Sequence, residues 1–485
     1  MPLSLYTEFN NLNGLLPNIK DAIEIGDLYF MGTSTIVVCA HYMFGNKIKP
    51  KHAYILPCTF IIILCIAFIE HYRSVRNDHD HLVEHFKDLN DQRTIWDIMV
   101  DRRRMMENTA QKTSVSYYGI GFSLLLNYIE PLFKTERFHF TKEEMDTINK
   151  YMYPSTYLLP KDTTQNLIFI LVESLSSYPI NKTFDGKEIT PNLNRLLNEA
   201  YYNPNMKSEA LLGESSDGQF IYLTGLLPLK NGVTINEISS NHITTFVSLA
   251  KNQHPLLQSQ MVIPTEKNNW SQDAMCRKYG IDTLFSKEDY HKEIEEEWLN
   301  DQQLFELSSE ADHFIKPPFI SFILTSSMHS PYIKSYEKYN INYPSNFSEE
   351  LKHYLDNVHY MDKYLGKYLL SLQQYPWYNQ CTIIITADHK PNGPKINAPN
   401  IPGISSLPLF IINPTSENRG VKSNHTIYQT SVFPSILDMY HVTSKWAGVG
   451  QSIFMPDSIR ANLFERNRIS NQEIISEFQI SKYIQ

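Results

Sequence analysis

The sequence predicts an α/β domain in which a parallel sheet is covered on both faces by helices. Leu167 to Val172 is an unbroken apolar run that ends on Glu173 and Ser174. A second, β-branched run from Thr382 to Thr386 leads through Ala387 to Asp388 and His389. From Gln165 onward, short apolar runs alternate with stretches of helical pattern, as expected of strands joined by crossover helices. A short apolar run bounded by turn signals reads as a strand buried on both faces.

In chain order, Thr190 and Pro191 read as an N-cap followed by proline at the first helical position, opening a helix from Asn192 to Ala200. Gly213 to Phe220 follows, with apolar and aromatic residues continuing through Leu227. Phe319 to Leu324 is a further buried strand. Leu351 to Leu372 is a long amphipathic helix, and Leu407 to Ile412 a late strand. No internal repeat is visible.

The 485 residues suffice for two to four domains, and a formal net charge of -9 gives no electrostatic support to nucleic-acid binding. Cys39, Cys58 and Cys65 lie in apolar segments, leaving Cys276 and Cys381, so neither a disulfide framework nor a CxxC zinc pattern is present.

Leu28 to Phe44 carries no formal charge, and Ala53 to Ile69 is more apolar still. Both are slightly short of the roughly 20 residues that cross a bilayer, with aromatic flanks to extend them. A buried core helix is the competing reading. Lys47, Lys49 and Lys51 fill the short link, whereas Asp21, Glu24 and Asp27 precede the first span. The positive-inside rule then places the lysine loop in the cytoplasm and everything after Ile69 outside. The start of the chain shows no cleavable signal pattern and reads as the continuation of a longer membrane region. His71 to Asp162 is polar, with a basic cluster at Arg102 to Arg104. Tyr117 to Phe133 is aromatic and suits an interfacial or packing helix. The expected organisation is a membrane region over 1–75, a helical linker over 76–162, a catalytic domain over 163–455 and a tail over 456–485.

Ligands of open α/β sheets sit beyond the carboxyl ends of the strands. Glu173, Asp388 and His389 stand at two such ends, and carboxylates with an imidazole suit a divalent metal such as zinc or manganese. Taken singly, an acid after a strand is more often a helix N-cap. Ser215 and Ser216 fall where a helix begins, at a terminus that favours anions. Beside a metal such a hydroxyl becomes a nucleophile; on local sequence alone, ordinary capping is the stronger reading.

Several motifs occur together in order. They are Val172-Glu173-Ser174 after a strand, Gly213-Glu214-Ser215-Ser216-Asp217, a turn containing Trp270, Ser327-Met328-His329-Ser330-Pro331-Tyr332, and Ala387-Asp388-His389. Over about residues 160–440 this order resembles the sulfatase-like branch of the alkaline phosphatase superfamily, and within it the lipoteichoic acid synthases and bacterial phosphoglycerol and phosphoethanolamine transferases. The resemblance implies an α/β/α sandwich of alkaline phosphatase/sulfatase type behind N-terminal transmembrane helices. It implies one divalent metal (Mn, Zn or Mg) held by Glu173, Ser215, Asp388 and His389. Ser215 takes the place of the family's nucleophilic threonine, and His329 that of a histidine that binds phosphoryl or protonates the leaving group. Trp270, Gln272, His329 and Asp217 are the substrate-binding candidates.

Gln272 stands where the family carries an arginine, so a bidentate grip on phosphate is lost; Arg277 or Lys278 offers a substitute. The formylglycine motif of true sulfatases is missing, because Ser215 to Gln219 contains neither its proline nor its arginine. The Gly-Glu-Ser run of phosphoethanolamine transferases is replaced by Lys390-Pro391-Asn392-Gly393. The expected activity is transfer of a phospho-alcohol headgroup from a membrane lipid donor to an envelope glycan or lipid acceptor. The expected localisation is the cell membrane, multi-pass, with the catalytic domain outside. The alternatives are a phosphodiester or sulfate-ester hydrolase and an inactive membrane-tethered binding domain.

Overall fold

The computed structural model describes residues 166–455 apart from 212, 229–233, 238–242, 270–271, 295, 331, 393–395, 397–400, 414–417 and 443–449, together with the isolated Lys142. The chain divides into Met1–Arg137 and Phe138–Gln485, and every described element belongs to the second unit. The expected spans over 28–44 and 53–69, the lysine loop, the linker elements and the tail over 456–485 lie outside the described residues. Among the described residues no helix is long and apolar enough to cross a membrane.

A large sheet organises this unit. β1 (Asn166–Val172) is buried at all seven positions, as its unbroken apolar run demands. A hairpin of β2 (Thr183–Phe184) and β3 (Lys187–Glu188) follows, then β4 (Tyr201–Lys207), β5 (Gln258–Val262) and β6 (Thr283–Phe285). β7 (Phe319–Leu324), β8 (Cys381–Ala387), β9 (Ser406–Ile412) and β10 (Ile427–Tyr428) complete the set. The eight-stranded sheet runs β10-β4-β9-β8-β1-β7-β5-β6. β1 lies between β7 and β8, parallel to both, with Leu171 opposite Leu324 and Thr386, and Val172 opposite Ala387. The sheet is not wholly parallel as expected: β9 runs antiparallel to both β8 and β4. Its run reads equally well in either direction, so only the pairing settles its sense.

The helices are α1 (Pro191–Leu196), α2 (Ser215–Thr224), α3 (Thr234–Glu237), α4 (Phe246–Gln253), α5 (Gln272–Lys278), α6 (Asp301–Asp312), α7 (Glu349–Leu372) and α8 (Val432–Met439). α7 begins two residues earlier than the apolar pattern indicates, because Ser348 accepts from the Leu351 N–H as N-cap. α1 stops at Leu196, short of Ala200, and the Thr190 hydroxyl does not cap it. That hydroxyl is spent on the Pro179 carbonyl and Asn194. Asp362 of α7 caps α1 from outside, its two oxygens accepting from the N–H groups of Asn192 (2.9 Å) and Leu193 (2.8 Å). α2 is buried along nearly its whole length, which explains why its sequence carries no polar face. It stops at Gly225, whose φ of +70° is the left-handed cap conformation that glycine adopts freely.

Candidate active site

The site forms where β1, β7 and β8 end side by side. Glu173 follows β1 directly, and its backbone N–H donates to the Thr325 hydroxyl just past β7 (3.0 Å). Asp388 follows β8, and its Oδ1 accepts from the N–H groups of Ser174 (2.9 Å) and His389 (2.8 Å). Each strand end is thus tied to its neighbour by the chemistry of the site. Ser174 turns with φ +52° and Glu214 with φ +44°. Non-glycine residues held there are strained, and such strain gathers where function fixes the backbone.

α2 brings Ser215 to the same point as its first residue, and no side chain caps the helix ahead of it. The Ser215 hydroxyl donates to Glu173 Oε2 (3.0 Å) and lies 3.3 Å from His389 Nε2. His389 Nε2 is 3.3 Å from Glu173 Oε1 and 3.7 Å from Asp388 Oδ2. Its Nδ1 donates to the Lys390 carbonyl (2.8 Å), which turns Nε2 toward the carboxylates. The Ser174 hydroxyl donates to Glu173 Oε1 (2.8 Å). A buried amide braces the assembly: Gln429 Nε2 donates to the Asp388 carbonyl (2.7 Å) and to the Tyr222 hydroxyl (3.2 Å), while that hydroxyl donates to Ala387 O (2.8 Å).

Burial works to raise the Glu173 carboxyl, but the charge and hydrogen bond of His389, with help from His329 and Ser174, hold it well below the usual carboxylate range. Burial and then the Glu173 charge push Asp388 up to about 7. Burial opposes the charged form of His389, and the Asp388 and Glu173 carboxylates outweigh it and raise its pKa. Among the described residues, the ion-pair partner of both carboxylates is this one imidazole.

These residues fit a divalent metal. One oxygen each from Glu173 and Asp388 and one nitrogen from His389 lie within 4.8 Å of one another, all buried. Two carboxylates sharing a single imidazole leave negative charge that a cation would balance. A hydroxyl, carboxylates and an imidazole are acceptable to zinc, manganese or magnesium alike, so the donor set does not choose among them.

The cluster opens into a pocket of about 80 Å³. Space of that size holds a few waters or a group such as a phosphoryl, not a whole lipid. His329 stands exposed at its wall, its Nδ1 bonded to the Ser330 carbonyl (2.7 Å) and its ring edge-on to Trp298 (4.9 Å between centroids). Asp301 anchors the segment before it: Oδ1 accepts from the N–H groups of Ser326 (2.9 Å) and Ser327 (3.0 Å). Gln272, first residue of α5, lines the pocket and is buried.

The fold therefore gathers Glu173, Ser215, Asp388, His389, His329 and Gln272. It does not bring Asp217 to them as a substrate contact. Asp217 Oδ2 accepts from the N–H groups of Leu211 (3.0 Å) and Gly213 (2.9 Å), so its carboxylate shapes the loop that presents Ser215. Burial pushes this carboxyl up to about 6. Trp270 lies outside the described residues. Ser216 donates to the Gly213 carbonyl (2.8 Å) and is an internal brace. Neither Arg277, which pairs with Asp273 on the surface, nor Lys278 is among the described residues that line the pocket. The sequence reading missed Trp298, Thr325 and Glu214. Trp298 ends an acidic stretch with no periodic pattern to mark it, while Thr325 and Glu214 each stand beside a marked residue.

A mixed α/β sheet with carboxylates, an imidazole and a helix-borne hydroxyl at its strand ends defines the alkaline phosphatase class of fold. The family model described as Sulfatase matches residues 165–442, and the chain belongs to that family. The resemblance read from the motifs is thereby borne out. A lipoteichoic acid synthase-like protein of Bacillus subtilis, YvgJ, is 28% identical over 46% of this chain and 37% of its own length. The lipoteichoic acid synthase of Staphylococcus aureus is 25% identical over 76% of this chain and 55% of its own. The chain spans about half or less of the length of the curated relatives it matches. Among solved structures, the lipoteichoic acid synthase LtaP of Listeria monocytogenes superposes with a TM-score of 0.55 at 19% identity, covering 64% of this chain and 81% of that one. An alkaline phosphatase superfamily protein from Vibrio parahaemolyticus gives 0.53 at 21% identity, covering 66% and 79%. Both likenesses concern the fold.

Proposed function

We propose that the protein is a membrane-anchored, metal-dependent transferase. It moves a phospho-alcohol headgroup of phosphoglycerol or phosphoethanolamine type from a lipid donor to an envelope glycan or lipid acceptor, through a covalent ester on Ser215. The observation that carries this reading is the Ser215 hydroxyl, held 3.0 Å from Glu173 Oε2 and 3.3 Å from His389 Nε2 at a helix start that faces a pocket. The names of the similar synthases support the same class.

Glu173, Asp388, His389 and Ser215 would hold the divalent metal. When bound, it supplies positive charge that lowers the pKa of an adjacent hydroxyl and offsets charge on the phosphoryl oxygens. Ser215 Oγ, its proton lost to solvent beforehand and the same alkoxide regenerated at the end of the cycle, attacks phosphorus; the new P–O bond forms as the bond to the lipid alcohol breaks. His329, whose Nδ1 is bonded to Ser330, uses Nε2 to place a proton on the departing oxygen. In the second half an acceptor hydroxyl attacks the phosphoserine, gives its proton back to His329 and releases Ser215. The α2 N-terminus favours the anion throughout. Water in place of the acceptor makes the same site a hydrolase.

The test is to incubate the full chain with divalent metal and phosphodiester lipid, quench, and map the adduct by mass spectrometry. A phospho-alcohol on Ser215 is expected, and product analysis with and without glycan or lipid acceptor separates transfer from hydrolysis. An adduct on Ser216, or none, refutes the reading.

A further inference from the structure

We infer that Gln272 selects the headgroup, and that it selects one ending in a hydrogen-bond donor, a hydroxyl or an ammonium, over one whose end offers no donor. This rests on the function proposed above. Gln272 lines the pocket and is 5% exposed, yet its Oε1 is buried without a hydrogen-bond partner. A buried amide oxygen left unpaired is costly, and native proteins pair such atoms. The terminal torsion of glutamine is soft, and Gln272 is one of the residues that line the pocket, so its amide can adjust to a bound group. A donor on the bound group would satisfy it there; an anion would meet it with repulsion.

The rest of the wall agrees. Among the described residues lining this pocket there is no lysine or arginine, whereas Glu173, Glu214 and Asp388 all contribute. Glu214 also acts electrostatically on His389, which places its negative charge near the reacting end. Metal charge would offset the Glu173 and Asp388 carboxylates around the phosphoryl group; among the described residues that line the pocket, His329 is the one remaining side chain that could carry positive charge, and its proton is spent on the departing oxygen. A neutral acceptor with an acidic neighbour suits a donor group.

The experiment offers the metal-loaded full chain, in mixed micelles, three lipids with the same acyl chains: phosphatidylglycerol, phosphatidylethanolamine and phosphatidylmethanol. The methyl headgroup has no donor. Wild type is expected to turn over at least one donor-bearing lipid with a kcat/KM about 10- to 100-fold above the methyl lipid, the discrimination a hydrogen bond to a buried group gives. Gln272→Leu should lose that advantage, the kcat/KM on the donor-bearing lipids falling toward that on the methyl lipid. Gln272→Glu, an acceptor at both atoms, should keep it, and should favour ethanolamine over glycerol if the natural donor is an ammonium. Binding of O-phosphoethanolamine, glycerol phosphate and methyl phosphate to Ser215→Ala protein, with and without the Gln272→Leu change, should show the same order without turnover. Equal rates on all three lipids, or an equal loss on all three in Gln272→Leu, overturns the inference while the Ser215 adduct keeps the proposed function intact. Absence of that adduct with every lipid overturns both.

Discussion

A β-carbon placed on Gly218 would stand 2.5 Å from the carbonyl oxygen of Asp388. The first turn of α2 is therefore pressed against the end of β8, and only glycine permits the approach. That contact sets where Ser215, one turn earlier, meets Glu173 and His389. The Asp388 carbonyl is further fixed by Gln429, so the strand end has little room to yield.

Gly218→Ala should accordingly push α2 away from β8. Overpacking of this kind typically costs about 1–3 kcal/mol. A nucleophile displaced by about 1 Å can lose on the order of 10²-fold in rate. Melting temperature and kcat measured together should show a modest fall in the first and a large fall in the second. Wild-type kcat in the alanine variant would show that the close approach does not position the serine.

Ser215→Ala should abolish turnover while the fold survives, because its hydroxyl supports only the site. Ser215→Thr should retain part of the activity, since the added methyl changes shape and keeps the hydroxyl. Ser216→Ala should remain active at reduced stability, because it loses a buried bond to the Gly213 carbonyl worth about 1 kcal/mol. Full activity in Ser215→Ala, or loss confined to Ser216→Ala, would mean that the nucleophile is misassigned.

Much of this site could be read from the sequence because its residues end strands that are apolar or β-branched along most of their length. β1 announces itself by an unbroken run, and β7, β8 and β9 nearly so, interrupted by Ser321, by Thr382 and Thr386, and by Pro408. β4 does not: Pro204 interrupts it, at a register shift between Asn203 and Met206, where proline is tolerated. β5 hides for another reason. Its Gln258, Ser259 and Gln260 read as loop, yet the Gln260 amide is buried and bonded to Asp312 and Ser321. Asp217 is a substrate-contact candidate in the sequence because it shares the motif of Ser215; the tight loop turns its carboxylate to the N–H groups of Leu211 and Gly213, and spacing carries no information on that.

Metal binding should stabilise the folded chain by mass action. At a concentration of about 100 times Kd, the gain is about 2.7 kcal/mol. Wild-type protein treated with chelator should melt lower and recover on adding Mn²⁺, Zn²⁺ or Mg²⁺, the strongest response naming the metal. Glu173→Gln should lose most of the response, because the charge that balances the cation is halved. A melting temperature indifferent to all three ions in wild type would remove the metal from the mechanism.

The proposed orientation predicts which cysteines an impermeant maleimide reaches in intact cells. Leu256 and Phe314 are highly exposed, so a cysteine at either should label from outside. Cys276 and Cys381 are buried and should contribute little background. A cysteine replacing Lys49 in the lysine loop should label only after permeabilisation. The reverse pattern would invert the topology and place the site in the cytoplasm.

Asp312 gives a pH dependence of stability that is separate from the site. Its two oxygens accept from the Tyr368 hydroxyl (2.6 Å) and the Gln260 amide (3.1 Å), and burial pushes its carboxyl up to about 7. An unfolded aspartate titrates near 3.9. Between these values the folded chain holds a proton that the unfolded chain has released, so raising the pH through this window favours unfolding. A shift of about three pH units corresponds to roughly 4 kcal/mol as an upper bound. Asp312→Asn keeps a neutral group that the Gln260 amide and the Ser321 hydroxyl can meet by turning. Its melting temperature should match wild type near pH 4 and exceed it at pH 8. A variant less stable than wild type at pH 8 would show that the ionised carboxylate is the form the core accommodates.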